Sequence, residues 1–237
     1  MATQSTHARR EREGSNSEAI EDYLKAVYTL ALRSEGSVAT GDLAGRLGVT
    51  PATATAMLKR LDGLGLARHE PYHGVSLTPA GERVALEVIR HHRLLESYLS
   101  EALGMPWDRV HQEAEILEHY ISEELEDLIA TKLGDPSHDP HGDPIPGRDL
   151  EPPEEGESRP LESLQEGEAA TFTRVSDSDP EMLRYLADRG IRPGAAIRLT
   201  GRQPFGGPLF VEVDGSEHAL GGELVHRMRV SATRPSA

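Results

Sequence analysis

Residues 40–61 read TGDLAGRLGVTPATATAMLKRL and contain two helix signals separated by a tight turn. The first signal is Thr40, which is predicted to cap a short helix ending at Gly48, a position that favours a left-handed residue. The second signal is Thr50 followed by Pro51, an N-cap with proline at the first helical position. Two short helices joined in this way predict a helix-turn-helix, and an ordinary helical hairpin is the alternative interpretation.

The second helix of this motif has one apolar side and one side of small, hydroxyl-bearing and basic residues. Small residues let a backbone lie deep in the major groove, threonine and alanine can contact thymine methyl groups, and basic residues suit phosphates. The next stretch, residues 66–77, surrounds a Pro-Tyr-His-Gly turn and predicts the two-stranded wing of a winged helix. The residues predicted to contact DNA are Thr40, Thr50, Pro51, Ala52, Thr53, Thr55, Ala56, Lys59, Arg60, Arg68 and His73.

Residues 107–131 have the apolar spacing of one helix, and the run that begins at residue 110 reads VHQEAEILEH. On a helix, residues three and four positions apart share a face. The shared face of this run consists of His111, Glu115, Glu118 and His119. Two imidazoles and two carboxylates form a donor set for a divalent transition metal, and a solvated acidic helix face is the alternative.

A preceding helix, predicted from Pro79 to Leu103, carries His92 on its apolar stripe and Glu96 one turn further along. A single histidine in such a place is most often part of the core. Two helices with this many donors can bring them together, however, and this favours metal coordination over core packing.

Residues 136–160 contain seven of the sixteen prolines and few apolar residues, which predicts a linker. Within it, Asp139 and His141 are either turn residues or further metal ligands. From residue 161, short strands alternate with glycine-rich turns, a spacing that suits a small β-barrel. Strands are predicted at 169–175, 195–200, 209–213 and 225–230, with one helix at 180–189.

The composition limits the possible classes of function. The absence of cysteine excludes disulfides, zinc–thiolate sites and thiol catalysis. No apolar run is long enough to span a bilayer and the first residues are polar, so we expect a cytoplasmic protein without a membrane partner. The net charge of −15 is concentrated centrally, because residues 81–133 carry 12 acidic and 5 basic residues whereas residues 1–80 carry nine of each. The N-terminal part is therefore neutral enough to approach phosphate.

The sequence resembles the diphtheria toxin repressor / manganese transport regulator (DtxR/MntR) family of metal-dependent transcriptional regulators. The resemblance extends from residue 20 to residue 230 and includes the helix-turn-helix. Its other motifs are IEDYLKAVY at 20–28, RHHRLLE at 90–96, the run at 110–119 and HDPHGDPIPG at 138–147. The last section is similar to the SH3-like (FeoA-type) domain of the family.

The resemblance implies two metal sites. The primary site draws on Asp22, His92, Glu115, Glu118 and His119. The second site draws on Glu96, His111, Asp139, His141 and Asp177. Many relatives have cysteine at the position of Asp139, and iron-type members have ligands at the positions of Arg174 and Asp177, of which Arg174 cannot ligate. Shorter manganese regulators have an acid at the position of Lys25, so this lysine argues against a close metal pair at the primary site.

The resemblance further implies a homodimer, joined through the central helices, that binds a palindromic double-stranded DNA operator and represses metal-uptake genes. Metal is expected to connect the first helix, through Asp22, to these central helices and to set the winged helices about 34 Å apart, the spacing of successive major grooves. Iron-type members have methionine and cysteine where this chain has Asp22 and Glu115. A donor set of oxygen and imidazole favours Mn²⁺ as the cofactor, with Fe²⁺ as the alternative.

The predicted fold class is a mainly α N-terminal part, comprising a winged helix-turn-helix and a helical dimerisation domain, followed by a small C-terminal β-barrel of the SH3-like type. The predicted divisions are a disordered tail at 1–16, the DNA-binding domain at 17–78, the helical metal-binding and dimerisation domain at 79–135, a Pro-rich linker at 136–160 and the SH3-like domain at 161–232.

Other classes of protein fit parts of the sequence. A winged-helix regulator that responds to an organic ligand would leave the His and Glu faces solvated and would bind DNA regardless of chelators. A metalloenzyme with a carboxylate-bridged metal pair would need an open coordination position, a general base and a substrate pocket, and the sequence identifies none of these. A metal storage protein would leave the helix-turn-helix unexplained. We therefore predict a regulator rather than an enzyme.

Overall fold

The computed structural model describes residues 2–32, 37–70, 73–153 and 156–232, with side chains from Ser17 onward. The chain forms two compact units. The first unit consists of Met1–His91, Glu118–Tyr120 and Pro146–Pro152. The second unit consists of His92–Leu117, Ile121–Ile145 and Pro153–Ala237. Within the described ranges, none of the helices has both the length and the apolar character needed to cross a membrane.

Helices and one small sheet make up the first unit. Its elements are α1 (Ala2–Ala31), α2 (Thr40–Arg46), α3 (Pro51–Gly63), β1 (Ala67–Glu70), β2 (Gly74–Leu77) and the part of α4 (Pro79–Glu101) that precedes His92. β1 and β2 pair antiparallel, with Ala67 opposite Leu77 and Glu70 opposite Gly74. This order confirms the winged helix-turn-helix. Pro71 and Tyr72 of the predicted wing turn lie outside the described residues.

The helix signals of the motif are mostly confirmed. Oγ1 of Thr50 accepts a hydrogen bond from the backbone N–H of Thr53 at 3.2 Å, as expected of an N-cap. Gly48 has a φ of 63°, the left-handed conformation that follows a helix end. The prediction that Thr40 caps α2 is wrong. The N-cap is Ala39, because its carbonyl oxygen already accepts the first helical hydrogen bond, from the N–H of Leu43 at 3.1 Å.

The core of the first unit joins α1 to the helix-turn-helix. Leu24 and Val27 of α1 are fully buried in the same apolar cluster as Leu43 of α2 and Leu58 and Leu61 of α3. Burial of each such side chain stabilises the fold by roughly 1.5–3 kcal/mol. Because these residues interdigitate in one cluster, a displacement of α1 is transmitted to α3.

The N-terminal segment differs from the prediction. α1 begins at Ala2, so its backbone is helical where the sequence predicts a disordered tail at 1–16. Residues 8–13 read ARRERE, and alanine, arginine and glutamate have high intrinsic helix propensity, which favours a helical backbone here.

The second unit begins with the end of α4 and continues with α5 (Trp107–Leu117) and α6 (Glu123–Leu133). The prediction of one helix over 107–131 is therefore wrong. A new helix starts at Glu123 because Oγ of Ser122 accepts a hydrogen bond from the N–H of Leu125 at 3.3 Å, and acidic residues fill the first turn. Glu118 and His119 consequently lie in the intervening turn, and they do not continue the face formed by His111 and Glu115.

The C-terminal part of the second unit is a six-stranded antiparallel sheet in the order β3-β8-β4-β5-β6-β7. Its strands are β3 (Arg159–Pro160), β4 (Ala169–Val175), β5 (Ala196–Arg202), β6 (Leu209–Val213), β7 (Ser216–Leu220) and β8 (Met228–Ala232), with helices α7 (Pro180–Ala187) and α8 (Gly222–His226). The sheet is not closed, so the predicted barrel is corrected to an open sheet with β3 and β7 at its edges. Alternation of apolar residues is the same in both arrangements and does not distinguish them.

Two local assignments in this sheet also differ from the prediction. β7 is absent from the predicted strands, because its sequence SEHAL is largely polar and the strand is held by pairing with β6. Val225 belongs to α8, whereas the sequence pattern places it in the last strand. The apolar cluster of this part includes Phe172, Leu183, Val211 and, from α5, Trp107.

Part of the proline-rich segment is packed rather than free. Ile145 is buried with α4, α5 and α6 residues of the second unit, and Arg93 donates to the carbonyl oxygen of Pro144. Gly142 has a φ of 89°, and a Cβ there would lie 1.9 Å from the carbonyl oxygen of Thr173. Glycine is therefore required for the turn at residues 139–143 to pack against β4.

Candidate metal centre

A first group of metal-binding side chains lies in the first unit. Asp22 is on α1, and Glu118 and His119 are in the turn that precedes α6. Nε2 of His119 is 3.1 Å from Oδ1 of Asp22 and 3.7 Å from Oε1 of Glu118. One ligand atom from each of the three residues lies within 4.8 Å of the others. Two carboxylates and an imidazole at this separation suit a divalent transition metal.

Two further charged residues of α1 complete this group. Nζ of Lys25 contacts both side-chain oxygens of Glu118, and Oε2 of Glu21 is 2.7 Å from Nδ1 of His119. The role of Glu21 was not predicted. It follows Ile20 directly and precedes Asp22, and periodicity gives no reason to place two adjacent acids on one imidazole.

Charge around His119 favours its protonated form. Hydrogen bonds to Asp22 and then to Glu21 raise the pKa of His119 to about 10, although burial opposes the shift. The hydrogen bond from His119 in turn lowers the pKa of Glu21 below its usual value. A metal ion that binds His119 must therefore displace a proton.

A second group lies in the second unit. Nε2 of His92 is 3.1 Å from Oε1 of Glu96 and 3.1 Å from Nδ1 of His111. Nδ1 of His111 is 3.3 Å from Oε1 of Glu96 and 3.0 Å from Oδ2 of Asp177. These four residues can offer ligand atoms within 4.8 Å of one another. Glu115 is beside them, with Oε1 at 3.8 Å from Nδ1 of His92.

A third group shares one residue with the second. Glu96, Asp139 and His141 offer ligand atoms within 4.8 Å of one another, and all three are buried. Oδ1 of Asp139 accepts hydrogen bonds from the N–H groups of His141 and Asp143, at 2.8 Å and 2.9 Å. Asp139 therefore has the predicted turn role, and its predicted role as a metal ligand stays a prediction.

Two buried donor atoms of the third group show whether a metal ion would fit between them. Nδ1 of His141 and Oε2 of Glu96 are 3.6 Å apart, and neither has a hydrogen-bond partner among the described residues. Buried polar atoms are rarely left unpartnered, because desolvation without a compensating bond is costly. An imidazole nitrogen and a carboxylate oxygen that face each other in this way fit a bound divalent ion.

Burial and mutual charge shift the pKa values of these groups. Burial works against ionisation of Glu96, but the positive histidines around it, His92 first, hold its pKa well below its usual range. Burial lowers the pKa of His111, but the hydrogen bonds to Asp177 and then to Glu96 outweigh burial and raise this pKa to about 10. Burial also lowers the pKa of His141, but the negative charges of Glu96 and then Asp139 raise this pKa to about 9.

The acids of the second unit shift in opposite directions. Burial, and then the negative charges of Glu96 and Asp143, raise the pKa of Asp139 well above its usual value. Although burial opposes ionisation of Asp177, the hydrogen bond from His111 lowers the pKa of Asp177 to about 2. Opposed shifts within one buried cluster are typical of a functional site.

Arg174 lies at the position where iron-type relatives are expected to supply a ligand. Its guanidinium contacts Oδ1 of Asp143. Nη2 of Arg93 is 3.5 Å from the same oxygen. The two arginines therefore neutralise Asp143. Asp177 remains the acid that the loop after β4 contributes to the histidines.

The ligand set that the resemblance implies for the primary site is divided between the units. Asp22, Glu118 and His119 belong to the first unit, whereas His92 and Glu115 belong to the second. The five residues implied for the second site all belong to the second unit: Glu96, His111, Asp139, His141 and Asp177.

The predicted DNA-contacting residues lie on the exposed side of the helix-turn-helix. On α3, Ala54, Leu58 and Leu61 are buried, and the opposite side is exposed. The exposed residues are Thr50, Pro51, Ala52, Thr53, Ala56, Lys59 and Arg60, with Arg68 and His73 exposed on the wing. Thr40 and Thr55 are half-buried, and Oγ1 of Thr55 donates to the carbonyl oxygen of Pro51 at 2.8 Å.

A winged helix-turn-helix together with buried clusters of histidine and carboxylate defines a metal-responsive DNA-binding protein. Comparison with protein families agrees with this class. Residues 16–75 match the iron dependent repressor N-terminal DNA binding domain, residues 78–147 match the iron dependent repressor metal binding and dimerisation domain, and residues 159–232 match the FeoA domain.

Individual relatives cover nearly the whole chain. The iron-dependent repressor IdeR of Mycobacterium tuberculosis is 30% identical over 226 residues, which are 90% of this chain and 96% of the relative. The transcriptional regulator MntR of Escherichia coli O157:H7 is 39% identical over 121 residues, 51% of this chain and 77% of the relative. A solved manganese-dependent transcriptional repressor in complex with manganese is 40% identical, with a TM-score of 0.83 over 90% of this chain and 100% of that chain.

The chain therefore belongs to the DtxR/MntR family of metal-dependent transcriptional regulators. Its relatives are repressors that bind DNA, and they are not enzymes.

Proposed function

We propose that the protein is a Mn²⁺-activated, dimeric repressor in which Asp22, Glu118 and His119 form the core of the activating metal site. The observation that carries the proposal is the convergence of these side chains from α1 and from the turn before α6. The resemblance also assigns His92 and Glu115 to this site, and that assignment stays a prediction. The second site is assigned to the cluster around Glu96.

The mechanism follows from the position of Asp22 on α1. When bound, a divalent ion would accept lone pairs from the side chains of Asp22, Glu118 and His119 and hold the three together. Asp22 is then held against the turn, and α1 is held with it. Leu24 and Val27 of the same helix pack with α3, so the DNA-reading helix is fixed when α1 is fixed. Metal would thereby select the DNA-competent arrangement from a wider ensemble.

The donor chemistry supports manganese over iron. The chain has no cysteine, and the first-unit group consists of carboxylates and an imidazole. Oxygen-rich donors suit Mn²⁺, although the intrinsic order of affinities favours later metals and metal availability contributes to selectivity. Relatives are described with different metals, including a manganese-dependent repressor and an iron-dependent one.

The exposed apolar residues support dimerisation through the central helices. Five large apolar side chains that are more than a third exposed lie in or beside α5 and α6: Leu103, Ile116, Leu117, Leu125 and Leu128. A folded protein that exposes so many large apolar side chains on neighbouring elements is expected to cover them with a protein partner. A two-fold dimer would read a palindromic operator, with one α3 in each of two successive major grooves.

Fluorescence anisotropy of the full chain on DNA from its own upstream region tests the proposal. The titrations use Mn²⁺, anaerobic Fe²⁺ and chelator at one stated salt concentration, because phosphate contacts make affinity salt-dependent. We expect tight binding with Mn²⁺ that chelator reverses, and weaker activation by Fe²⁺. Binding that is indifferent to both metals and chelator would contradict the proposal and favour a regulator that responds to an organic ligand.

A further inference from the structure

We propose that Glu21 is a positioning residue of the first-unit group: it accepts the Nδ1 hydrogen of His119 and thereby presents Nε2 of the same ring to an ion bound by Asp22 and Glu118. Glu21 touches no ion itself and acts through His119. The inference deepens the proposed function and rests on it, since it adds to the activating site a residue that controls how strongly the site binds metal.

The two ring nitrogens of His119 face different acids. Nδ1 is 2.7 Å from Oε2 of Glu21, a distance typical of a hydrogen bond to an ionised carboxylate. Nε2 is 3.1 Å from Oδ1 of Asp22 and 3.7 Å from Oε1 of Glu118. Among the described residues, the ligand atoms that lie within 4.8 Å of one another here come from Asp22, Glu118 and His119, and Glu21 is not one of them. An ion that uses both of these carboxylates is therefore reached through Nε2.

A carboxylate beside Nδ1 determines which nitrogen of His119 can bind metal. The imidazole that ligates a metal is neutral and carries one hydrogen, and an ionised carboxylate can only accept a hydrogen bond. With Glu21 beside Nδ1, the hydrogen stays on Nδ1 and the lone pair of Nε2 is available to an ion. Metal-ligating histidines generally donate their other ring N–H in this way, which fixes the orientation of the ring and makes the ligating nitrogen more basic.

Glu21 is itself held by the preceding turn of α1. Oγ of Ser17 donates a hydrogen bond to Oε1 of Glu21 at 2.9 Å, so one carboxylate oxygen is engaged by Ser17 and the other by His119. The side chain of His119 is 8% exposed and that of Glu21 is 24% exposed, so little water competes for the bond between them. Because Nδ1 and Nε2 point away from each other, Oε2 of Glu21 cannot reach an ion at Nε2. Glu21 is therefore placed to orient the ring and not to ligate.

Two adjacent acids of α1 contact the same imidazole. Successive residues of a helix are about 100° apart, so Glu21 and Asp22 reach His119 from neighbouring faces of α1 and contact different nitrogens. Both contacts join α1 to the turn before α6. Leu24 and Val27 of α1 pack with α3, so the contact made by Glu21 is part of the connection through which metal would act on the DNA-reading helix.

Nitrogen NMR of the full chain, with ¹⁵N-labelled histidine and bound ¹¹³Cd²⁺, identifies the ligating nitrogen, because that nitrogen shows coupling to the metal nucleus. The signals of His119 are assigned by their loss in His119→Asn. In the wild type we expect the coupling at Nε2 and the hydrogen at Nδ1. In Glu21→Ala the hydrogen at Nδ1 should exchange with water much faster. Glu21→Gln, whose amide oxygen can accept the same hydrogen bond, should keep the wild-type pattern.

Calorimetric titration with Mn²⁺ measures the effect on affinity, and the binding step that disappears in Asp22→Ala is that of the first-unit group. Glu21→Ala should bind Mn²⁺ about 10–100-fold more weakly in this step, and Glu21→Gln should recover most of the affinity. The matched control is Glu18→Ala, which removes an acid of α1 that accepts a hydrogen bond from the hydroxyl of Tyr120, in the same turn, at 2.6 Å. Glu18→Ala and Glu113→Ala, at an exposed acid of α5, should bind Mn²⁺ as the wild type does.

Coupling of ¹¹³Cd²⁺ to Nδ1 of His119 in the wild type would overturn the inference, and so would equal Mn²⁺ affinities of Glu21→Ala and Glu18→Ala. Should Glu21→Ala fail to fold, as judged by circular dichroism, Ser17→Ala tests the same contact. It releases the Glu21 carboxylate and should weaken Mn²⁺ binding, and an unchanged affinity would count against the positioning role.

Wild-type DNA binding in the anisotropy experiment separates this inference from the proposed function. DNA binding that responds to Mn²⁺, together with wild-type Mn²⁺ affinity in Glu21→Ala, would leave only the proposed function. Weakened Mn²⁺ binding by Glu21→Ala, together with DNA binding that is indifferent to metal, would leave only the positioning role.

Discussion

Nζ of Lys25 lies 2.9 Å and 2.8 Å from the two side-chain oxygens of Glu118. The Glu118 side chain is fully buried and that of Lys25 is 16% exposed, so the ammonium group provides a counter-charge for a carboxylate that would otherwise be costly to bury. A divalent ion bound by Glu118 would be close to this ammonium group. We therefore expect the pair to stabilise the metal-free protein and to weaken metal binding at the proposed site.

Replacement of Lys25 by methionine should affect stability and affinity in opposite directions. Without metal, loss of the counter-charge at Glu118 should lower the free energy of unfolding by roughly 3 kcal/mol. With the repulsion removed, Mn²⁺ affinity at the first-unit group should rise about tenfold or more. Thermal unfolding in chelator and calorimetric titration with Mn²⁺ measure the two effects. Lys132→Met, at an exposed lysine of α6, serves as the control, and equal effects of both substitutions would refute the competition.

The metal-free protein should lose stability as the pH rises above neutrality. The pKa of His119 is raised from 6.5 to about 10 in the folded state, so folding is favoured by the bound proton. This contribution is complete below about pH 6.5 and is lost as the pH approaches about 10. His111, whose pKa is also raised to about 10, acts in the same direction.

Thermal unfolding in chelator at a series of pH values measures this dependence. His119→Asn should reduce the decline in melting temperature between about pH 7 and pH 10. His138→Asn, at an exposed histidine, should leave the decline unchanged. A His119→Asn protein with the same pH dependence as the wild type would show that the hydrogen bonds to Asp22 and Glu21 do not hold the proton.

Lys59 is expected to contact a phosphate rather than a base. It is exposed on α3, on the side opposite the buried Leu58 and Leu61. Lys59→Ala should weaken binding to all DNA sequences to a similar extent and reduce the slope of log affinity against log salt by about 1. Anisotropy at several salt concentrations, with Mn²⁺ constant, measures the slope. Lys132→Ala should retain the wild-type slope, and a sequence-dependent loss for Lys59→Ala would instead indicate base contact.

Leu128 lies on α6, one of the central helices, and is 61% exposed. Leu128→Glu should convert the dimer to a monomer, because a buried glutamate at an apolar interface pays a large desolvation cost. Sedimentation velocity measures the change. Phe205→Glu, at a fully exposed aromatic residue in the loop between β5 and β6, is the matched control and should stay dimeric. A dimeric Leu128→Glu protein would place the interface elsewhere.

Local signals in the sequence were sufficient for the helix-turn-helix. The cap at Thr50 with Pro51 and the left-handed Gly48 are formed by neighbouring residues, so a short window contains the information. β7 is held by pairing with β6, and the open edges of the sheet depend on how distant strands are arranged. Neither feature can be predicted from a short stretch of sequence. The apolar spacing continues through the break after Leu117 and hides it, and the N-cap at Ser122 is the one local signal of a new helix there.

The donor residues of the candidate site could be named from the sequence, but their grouping could not. The assignment of His92 to the primary site stays a prediction, because its Nε2 faces Glu96 and His111 and its Nδ1 is 3.8 Å from Oε1 of Glu115. Spacing along a helix does not determine which of two neighbouring clusters an imidazole faces. The contact between Glu21 and His119 joins residues 98 positions apart and had no local signal.

The coupling of metal to DNA binding through Asp22 is tested most directly by one comparison. Wild type, Asp22→Ala and the control Glu113→Ala are each titrated with Mn²⁺ in the presence of labelled operator DNA, and anisotropy is recorded together with circular dichroism. We expect Asp22→Ala to keep its fold and to lose Mn²⁺-dependent DNA binding, whereas Glu113→Ala should respond as the wild type does. An Asp22→Ala protein that folds and still binds DNA in response to Mn²⁺ would show that Asp22 does not couple metal binding to DNA binding.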